Sequence, residues 1–268
     1  MWIHWSHVSK QYGQQEGQKS LKQMKKPSSY GLLDFSAQVR QGITVILGPE
    51  GSGKSTLLKV TAAVMLPDDG RITYRFQSDQ HYVWSRGSVI ASGTSGLGDL
   101  KEKIGYVPDI EHVKHHTTCE ESLIHLAQLH RLSRPRARVR KMLAKWGLAA
   151  FRKRPLADLP VSELKRYLIV QSLLVQPQFW ILDEPTRGLD DYGRQLLIHE
   201  LKSLDRKRIV LLSTQDMELA ECADEMILLE YGSCRRMGKR NLLTASVSEG
   251  TVAAWYKAMQ TFTRATEQ

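Results

Sequence analysis

The sequence is poor in the features that mark secreted and membrane-spanning proteins. It contains 3 cysteines in 268 residues, and Cys119, Cys222 and Cys234 lie too far apart to form a paired motif. Scattered cysteines favour reduced thiols over a disulfide framework or a zinc site. The best apolar runs, such as Leu168–Val175, fall far short of the roughly 20 residues that a spanning helix needs. Met1–Lys10 also lacks the basic start and apolar middle of a signal peptide. We therefore expect a cytoplasmic protein whose membrane role is peripheral.

Acidic residues are fewer than basic ones. There are 28 Asp and Glu against 38 Lys and Arg, which gives a formal net charge of +10 at pH 7. Basic runs lie at Arg131–Lys141, Arg152–Arg154 and Arg235–Arg240. Such a balance favours anionic partners, namely lipid headgroups, nucleic acid or nucleotides. The arginines at positions 134, 136, 138 and 140 would spread around a helix rather than line one side of it. That pattern is typical of a solvated surface, so nucleic acid is not the partner we expect.

Two early segments alternate between apolar and polar residues, which predicts strands. The residues expected on their inner faces are Ile3, Trp5 and His7 in the first segment and Leu33, Phe35, Ala37 and Val39 in the second. The polar stretch Gly13–Ser29 between them is predicted to be a loop. Ile43–Leu47 resembles a strand buried on both faces of a parallel sheet. A glycine-rich loop follows, and then a helix is predicted from about Lys54 to Met65.

From residue 179 onward, short apolar strands alternate with amphipathic helices, which indicates a parallel sheet covered by helices. The predicted strands are Phe179–Leu182, Ile209–Leu212 and Met226–Leu229, and the predicted helices are Tyr192–Leu204 and Met217–Cys222. Helical patterns also fill about 111–174, where Ser133 is expected to cap the second helix, with Pro135 in its first turn. The predicted fold class is α/β. It has one domain over 1–245, with a helical subdomain inserted at about 111–174, and a C-terminal helix at 246–268.

Residues 48–55 read Gly-Pro-Glu-Gly-Ser-Gly-Lys-Ser and fill every fixed position of the phosphate-binding P-loop. A predicted strand precedes the loop and a predicted helix follows it, as such a loop requires. Glycines let several backbone N–H groups point at one phosphate group, and the helix N-terminus adds its dipole. Lys54 would place a charge on the β- and γ-phosphates of ATP, and the Ser55 hydroxyl would ligate Mg²⁺. The residues predicted to contact the nucleotide here are Gly48, Pro49, Glu50, Gly51, Ser52, Gly53, Lys54, Ser55 and Thr56.

A second motif distinguishes among the classes of P-loop protein. Residues 179–184 read Phe-Trp-Ile-Leu-Asp-Glu, an apolar strand that ends in two carboxylates. Asp183 would hold Mg²⁺ through a water, and Glu184 would polarise the attacking water as a general base. A strand that merely ends in a charged turn would read the same way, but the combination with the P-loop favours an ATPase.

The stretch Leu182–Asp190 reads Leu-Asp-Glu-Pro-Thr-Arg-Gly-Leu-Asp and closely resembles the nucleotide-binding domain of ABC transporters. The resemblance extends over most of the chain. Val8–Gly13 is similar to the A-loop of that family, where Tyr12 would stack on adenine. Lys103–Asp109 is similar to the stretch that ends at the Q-loop.

Further matches follow in the same order as in the family. Thr118 and Glu121 resemble the threonine and glutamate that follow the Q-loop. Ser213–Gln215 lies where the switch loop belongs, and Gly232 lies where a late glycine follows the last strand. The sequence is most similar to export-type cassettes that pair with a separate six-helix permease.

The resemblance implies a P-loop NTPase core with a mainly parallel sheet, a small antiparallel β subdomain and an inserted helical subdomain. It implies ATP and Mg²⁺ as ligands, with Ser55, Asp183 and Asp109 near the metal and Glu184 and Gln215 as catalytic residues. The implied partners are an integral membrane permease and a second cassette, in a homo- or heterodimer. The chain would then lie on the cytoplasmic face of the cell membrane.

Three positions depart from the family pattern. The signature Leu-Ser-Gly-Gly-Gln is replaced by Leu-Pro-Val-Ser-Glu at Leu159–Glu163. Pro160 removes a hydroxyl and a backbone N–H, and Val161 adds a side chain where glycine admits the γ-phosphate. The Q-loop glutamine is Asp109, which adds negative charge, and the switch histidine is Gln215, which cannot carry a proton. We therefore expect slow hydrolysis by the lone chain, and either a heterodimer with a related cassette or a slow homodimer.

Two other functions stay open at this point. One is a soluble ABC-type ATPase that acts on nucleic acid or ribosomes, which the basic charge would suit. The other is a regulatory subunit that binds nucleotide and hydrolyses it weakly. A single cassette with an altered signature argues against the first, and the second overlaps with a role in a transporter.

Two further segments carry predictions of their own. His112, His115 and His116 could hold a metal if they lay on a helix, but the nearby Thr117 suggests a loop and exposed histidines. Gly87–Gly98 is rich in glycine and serine, which predicts a flexible insertion.

Overall fold

The structure is a computed structural model that describes residues 1–12, 30–76, 80–86, 89–91, 96–109 and 116–266. Its strands are β1 (Trp2–Gln11), β2 (Tyr30–Arg40), β3 (Gly42–Leu47), β4 (Asp69–Arg75), β5 (His81–Ser85), β6 (Val89–Ala91), β7 (Ile104–Val107), β8 (Phe179–Asp183), β9 (Ile209–Ser213), β10 (Glu225–Glu230) and β11 (Ser233–Lys239). Its helices are α1 (Lys54–Thr61), α2 (Leu97–Glu102), α3 (Cys119–Leu129), α4 (Pro135–Lys145), α5 (Val161–Leu174), α6 (Asp191–Ser203), α7 (Met217–Ala220), α8 (Arg240–Thr244) and α9 (Val252–Thr266). The α/β class, with a mainly parallel sheet and a separate antiparallel one, is confirmed. No helix among the described residues is long and apolar enough to cross a bilayer.

The antiparallel sheet has the order β2-β1-β4-β5-β6. Ile3 and Trp5 are fully buried on the inner face of β1, as the alternating pattern predicts. The Trp5 indole N–H donates to the Thr61 hydroxyl across 2.9 Å, which ties this sheet to the end of α1. Helix α1 ends at Thr61 rather than near Met65, since the chain enters the left-handed region at Ala63 (φ 54°).

The inner faces of β1 and β2 differ in part from the prediction. His7 points to solvent, because the pairing of β1 with β2 shifts between Trp5 and Val8 and the backbone of His7 is left-handed (φ 52°). Leu33 is also exposed, and Leu32 is buried instead. The extra residue of an irregular strand reverses the alternation beyond it, which a strict period of two cannot anticipate.

The mainly parallel sheet has the order β11-β10-β3-β9-β8-β7. Every residue of β3, β8 and β9 is buried, as expected for strands covered on both faces. The register pairs Ile46 of β3 with Ser213 of β9 and Ser213 with Asp183 of β8. The carboxyl ends of these three strands therefore meet at one edge of the sheet.

Strand β10 is not the last strand, contrary to the expectation for Gly232. Tyr231 and Gly232 both have positive φ (49° and 77°) and turn the chain into β11, which pairs with β10 and carries Arg235 and Arg236. A Cβ atom on Gly232 would lie 2.9 Å from the Leu32 Cα atom, so only glycine lets the two sheets approach here. The Gly232 carbonyl accepts a hydrogen bond from Leu33 N–H.

The inserted helices begin as their capping residues dictate. Thr118 and Glu121 form a reciprocal capping box at the start of α3, which gives these two family-like residues a structural reason. Ser133 does not cap α4: the residue before the helix is Arg134, in a left-handed conformation (φ 49°), without a side-chain cap. Pro135 is in the first turn as predicted.

The remaining predictions on organisation have mixed outcomes. Of the predicted insertion at 87–98, residues 89–91 form a strand and 97–98 begin α2, while its flexibility stays a prediction. Residues 87–88 and 92–95 lie outside the described residues, as does the predicted loop at 13–29. A last helix is present, but α9 begins at Val252 rather than at 246, and Val252 and Trp255 are buried in the core of the parallel sheet. The domain boundary at 245 stays a prediction.

Candidate functional site

The carboxyl end of β3 leads into a loop at residues 48–53, and α1 begins directly after it. Gly53 has φ 102°, and a Cβ atom there would lie 2.0 Å from the Gly31 carbonyl oxygen. Only glycine therefore allows the loop to pass so close to β2. The N-terminal N–H groups of α1 have no intrahelical partners and are available to an anion.

Lys54 is nearly buried within this loop. Its ammonium donates to the carbonyl oxygens of Gly48 and Pro49, both across 2.8 Å. Burial lowers the pKa of Lys54, and the nearby carboxylates of Glu184 and Asp183 act in the opposite direction. The loop thus holds a cation at the wall of the cavity, as phosphate binding requires.

Asp183 is completely buried at the end of β8. Its Oδ1 atom accepts hydrogen bonds from the hydroxyls of Ser55 (2.9 Å) and Ser213 (2.8 Å). Its Oδ2 atom is buried and has no hydrogen-bond partner among the described residues. A buried carboxylate oxygen without a partner, beside a serine hydroxyl, is a donor set that fits Mg²⁺.

Glu184 follows in a left-handed conformation (φ 42°), which costs a non-glycine residue energy and persists only where its surroundings hold it. Its N–H donates to the Ser213 hydroxyl, and its Oε2 atom accepts from Gln215 N–H across 3.2 Å. Its Oε1 atom is buried without a partner among the described residues. Burial raises the pKa of Glu184, which suits a group that must accept a proton.

A cavity of about 360 Å³ joins these groups. Its lining includes Tyr12, Tyr30, Gly31, Glu50, Gly51, Ser52, Gly53, Lys54, Ser55, Thr56, Asp109, Glu184, Arg187 and Gln215. The structure thus gathers most of the predicted site residues around one space, while Asp183 lies behind it and the Gly48 and Pro49 carbonyls hold Lys54. Tyr12 is about half exposed and lines the cavity, and its hydroxyl lies 2.9 Å from that of Thr56.

Sequence reasoning missed Tyr30, Gly31 and Arg187. Tyr30 and Gly31 reach the cavity only because β2 pairs with the end of β1, and no motif marks them. Arg187 did have a signal, since it is a cation three residues after Glu184 in the loop that follows β8. Its guanidinium donates to Asp109 across 2.5 Å.

The altered signature segment lies at the start of α5. Val161 opens the helix after Pro160, and its side chain is 54% exposed. Ser162 exchanges hydrogen bonds with Asp190 (2.8 and 3.0 Å), and Glu163 pairs with the buried Arg166 (2.6 Å). No residue of Leu159–Glu163 lines the cavity of its own chain.

The remaining metal hypothesis finds no support in the described part of the chain, where no three His, Cys, Asp or Glu side chains group around one point. His112 and His115 lie outside the described residues.

Comparison with known proteins gives one family. Its model, described as ABC transporter, matches residues 32–187, more than half of the chain. A protein of Pyrococcus horikoshii, named as an ABC transporter ATP-binding protein, is 30% identical over 216 residues, which cover 77% of this chain and 76% of the relative. The molybdate/tungstate import ATP-binding protein WtpC of Archaeoglobus fulgidus is 29% identical over 230 residues, covering 84% and 89%. The Nod factor export ATP-binding protein I of a Rhizobium species is 30% identical over 195 residues, covering 70% and 58%.

Solved structures agree on the fold. The ATP-binding subunit of an ABC transporter superposes with a TM-score of 0.73 over 97% of this chain and 100% of its own, at 20% identity. A dimeric ATP-binding cassette in a post-hydrolysis state with ADP and Pi superposes with a TM-score of 0.66 over 88% of this chain and 98% of its own, at 21% identity. This chain belongs to the ABC transporter family, as one of its ATP-binding domains.

Proposed function

We propose that this chain binds ATP with Mg²⁺ and hydrolyses it to energise a separate membrane permease. The observation that carries the proposal is the convergence of Lys54, Ser55 and Glu184 on one cavity, with the unpartnered Oδ2 atom of Asp183 behind it. The loop amides and Lys54 would bind the phosphates, and Tyr12 would stack on the adenine.

Hydrolysis would follow from the same residues. Ser55 and Asp183 would hold Mg²⁺, with Asp109 as a further candidate ligand, and the bound ion would neutralise negative charge on the phosphates. Glu184 would take the proton from the attacking water, since burial raises its affinity for a proton. Gln215, whose N–H already fixes the Glu184 carboxylate, would orient the γ-phosphate by hydrogen bonding.

The partners would be a membrane permease and a second cassette. The relatives named above are transporter ATP-binding proteins, and one structural neighbour is a dimer. We expect this chain on the cytoplasmic face of a membrane, held there by the permease. The direction of transport is a separate proposal: we favour export, as the sequence resemblance suggests, although the relatives include both an importer and an exporter by name.

We expect hydrolysis by the lone chain to be slow. If two cassettes sandwich ATP, each P-loop faces the other chain's signature, and the exposed Val161 beside Pro160 would offer the γ-phosphate a poor surface. Loss of one preorganised donor typically costs about 10²–10³ in rate. A heterodimer with a related cassette would give this chain's P-loop an intact signature.

The experiment is co-expression with a multi-spanning permease encoded beside this chain. The chain should sediment with membranes that contain the permease, and ATP hydrolysis there should exceed that of the lone chain. The Lys54→Ala variant should sediment with these membranes as the wild type does, but its ATP hydrolysis should not rise when the permease is present. If the membranes neither retain the chain nor raise its hydrolysis, coupling to that permease is wrong.

A further inference from the structure

The net positive charge of the chain lies in one segment of the helical insertion. Residues 122–157 contain ten Lys and Arg and no Asp or Glu, so the rest of the chain is balanced, with 28 of each sign. This segment comprises most of α3, all of α4 and the turns that follow. A charge so concentrated acts on a partner as a local field rather than as a general solubility effect.

Three of these ten cations form ion pairs with carboxylates in the described part of the chain. Within the described residues, Arg140 and Arg152 form ion pairs with Glu120, and Lys145 pairs with Glu200. We call the other seven the basic surface: Arg131, Arg134, Arg136, Arg138, Lys141, Lys153 and Arg154. Glu120 lies between Arg140 and Arg152, at 2.7 and 4.0 Å, so α4 is adjacent to the turn that carries Lys153 and Arg154.

The surroundings of the basic surface favour a lipid bilayer. Val139, Leu143 and Trp146 bury the inner side of α4, so its outer side is left almost wholly charged. Leu129, at the end of α3, is 71% exposed and could enter the headgroup region. Proteins that bind single-stranded nucleic acid stack bases on exposed aromatic rings. The two aromatic residues of the segment are not available for base stacking, because Trp146 is buried and the guanidinium of Arg154 lies over the ring of Phe151.

We propose that the basic surface binds the anionic headgroups of a membrane. Each Lys or Arg near an anionic bilayer contributes about 1 kcal/mol of attraction, which falls off within a Debye length. The proposed permease would bring the surface beside such a bilayer, but the binding itself needs no permease and is tested without one.

The test uses the full chain and vesicles of phosphatidylcholine alone or with phosphatidylglycerol, in a sedimentation assay. The chain should bind only the anionic vesicles and release them at high salt. Arg136→Gln, Lys141→Gln and Lys153→Gln combined should weaken this binding roughly 100-fold. A matched variant that removes three exposed cations elsewhere, Arg71→Gln, Lys207→Gln and Arg236→Gln, should lose much less.

Equal binding to neutral vesicles, or equal losses in the two triple variants, would overturn the proposal. So would tighter binding to DNA than to anionic vesicles at the same salt, which would make the surface a nucleic-acid site. ATP binding, measured in parallel, should be the same in both variants. Its absence from the wild-type chain would count against the proposed function and not against the lipid surface.

A second observation is independent of the first and concerns the cavity. Two cationic side chains line it, Lys54 and Arg187, together with the carboxylates of Glu50, Asp109 and Glu184. The guanidinium of Arg187 donates to Asp109 across 2.5 Å, and both side chains are partly exposed to the cavity mouth. The pair joins the loop after β7 to the loop after β8.

The pair matters because Asp109 brings a negative charge to a place that a γ-phosphate must approach. Repulsion between like charges would weaken ATP binding unless a cation offsets it. Arg187 offsets it in this structure, and a guanidinium fits phosphate oxygens as well as it fits a carboxylate. ADP has no γ-phosphate and would leave the pair intact.

The geometry points to Arg187 as a ligand of the γ-phosphate. When ATP binds, the guanidinium would release Asp109 and bind the γ-phosphate in its place. The inference rests on the proposed ATP site and adds a means of distinguishing ATP from ADP. Asp109 then tunes the selectivity, because the γ-phosphate must compete with its carboxylate for the same guanidinium.

The test is the affinity of the full chain for fluorescent ATP and ADP analogues. Arg187→Gln should weaken ATP binding about tenfold to 100-fold and leave ADP binding nearly unchanged. Asp109→Asn, assayed without Mg²⁺ so that any contact of Asp109 with the metal does not contribute, should strengthen ATP binding, since it removes both the competitor and the repulsion. Arg206 and Asp224 form a similar half-exposed pair away from the cavity, so Arg206→Gln is the matched control and should change neither affinity.

Equal weakening of ATP and ADP by Arg187→Gln, or no weakening of either, would overturn the assignment. Weaker ATP binding by Asp109→Asn in the absence of Mg²⁺ would overturn it as well. A wild-type chain that binds neither nucleotide would instead defeat the proposed function. Lys54→Ala gives the reference for general loss, because it should weaken both nucleotides.

Discussion

Two regions of this cassette differ in how much of the family's chemistry they keep. The P-loop region arranges its loop and its strained Glu184 around one cavity, with the buried Asp183 behind it. The signature region keeps its fold, since α5 begins at Val161, but has replaced its phosphate-facing residues. Under the proposed function, the first region would bind this chain's own nucleotide, and the second would contact only the nucleotide of a partner cassette.

The comparison shows that the signature segment can keep its fold without the residues of the family motif. Ser162 exchanges hydrogen bonds with Asp190, and Glu163 holds the buried Arg166, so this segment satisfies the packing of the domain. None of those contacts needs a phosphate. In the cavity region the residues that hold the fold are also the candidate site residues, since the hydroxyls of Ser55 and Ser213 both donate to the Oδ1 atom of Asp183.

The strongest test of the comparison is Glu184→Gln. Hydrolysis should fall about 10²–10⁴-fold, since the amide cannot accept a proton, while ATP binding stays intact. Phosphate release and binding of a fluorescent ATP analogue measure the two effects. Glu218→Gln, an exposed residue paired with Arg194, is the control. A wild-type rate in Glu184→Gln would mean that this residue is not the base.

The signature region is tested by restoring it. Pro160→Ser with Val161→Gly returns the hydroxyl, the N–H and the close approach, and should raise hydrolysis by the lone chain up to about 10²–10³-fold if a homodimer forms. Ser162 is best kept in a first variant, because Ser162→Gly would also remove the hydrogen bonds with Asp190. Brisk, cooperative hydrolysis by the unmodified chain would show that the altered signature is not limiting.

Sequence reasoning predicted the site best where chemistry dictates residue order. The P-loop and the strand that ends in Asp183 have fixed spacing, because the glycines, the lysine and the carboxylates must follow particular strand ends. Strands β8, β9 and β10 were predicted within a residue or two, since continuous apolar runs mark buried strands.

The sequence failed where local irregularity or distant pairing decides the outcome. His7 and Leu33 were assigned inward, but bulges turned them to solvent. Ser133 looked like a cap, yet the chain turned through Arg134. The pairing of Asp109 with Arg187 joins residues 78 positions apart, and no local pattern carries that information.

A test of the P-loop region alone is Lys54→Ala. ATP affinity should fall about tenfold to 100-fold, because charge-assisted contacts to the phosphates are lost. Lys59→Ala, on the same helix but outside the cavity, should bind as the wild type does. Fluorescence titration with an ATP analogue measures both. Unchanged binding by Lys54→Ala would refute the assignment of the site.

The smallest expected effect concerns the link between the two regions. Lys165, on the helix that begins at the signature, is almost fully buried, and its ammonium donates to the Pro108 carbonyl (2.8 Å) and lies 3.5 Å from that of Asp183. Burial lowers the pKa of Lys165 from its ordinary 10.5 to about 8. Between those values the unfolded chain holds a proton that the folded chain has released, so this group makes the protein more stable as pH rises.

Lys165→Met removes the titrating ammonium and its hydrogen bond to the Pro108 carbonyl. The difference in unfolding free energy, wild type minus variant, should therefore increase by about 1–2 kcal/mol between pH 7.5 and pH 9.5. Urea unfolding of both proteins across this range measures it, and groups that titrate in both cancel in the difference. A parallel curve for Lys165→Met would mean that burial does not lower the pKa of this ammonium.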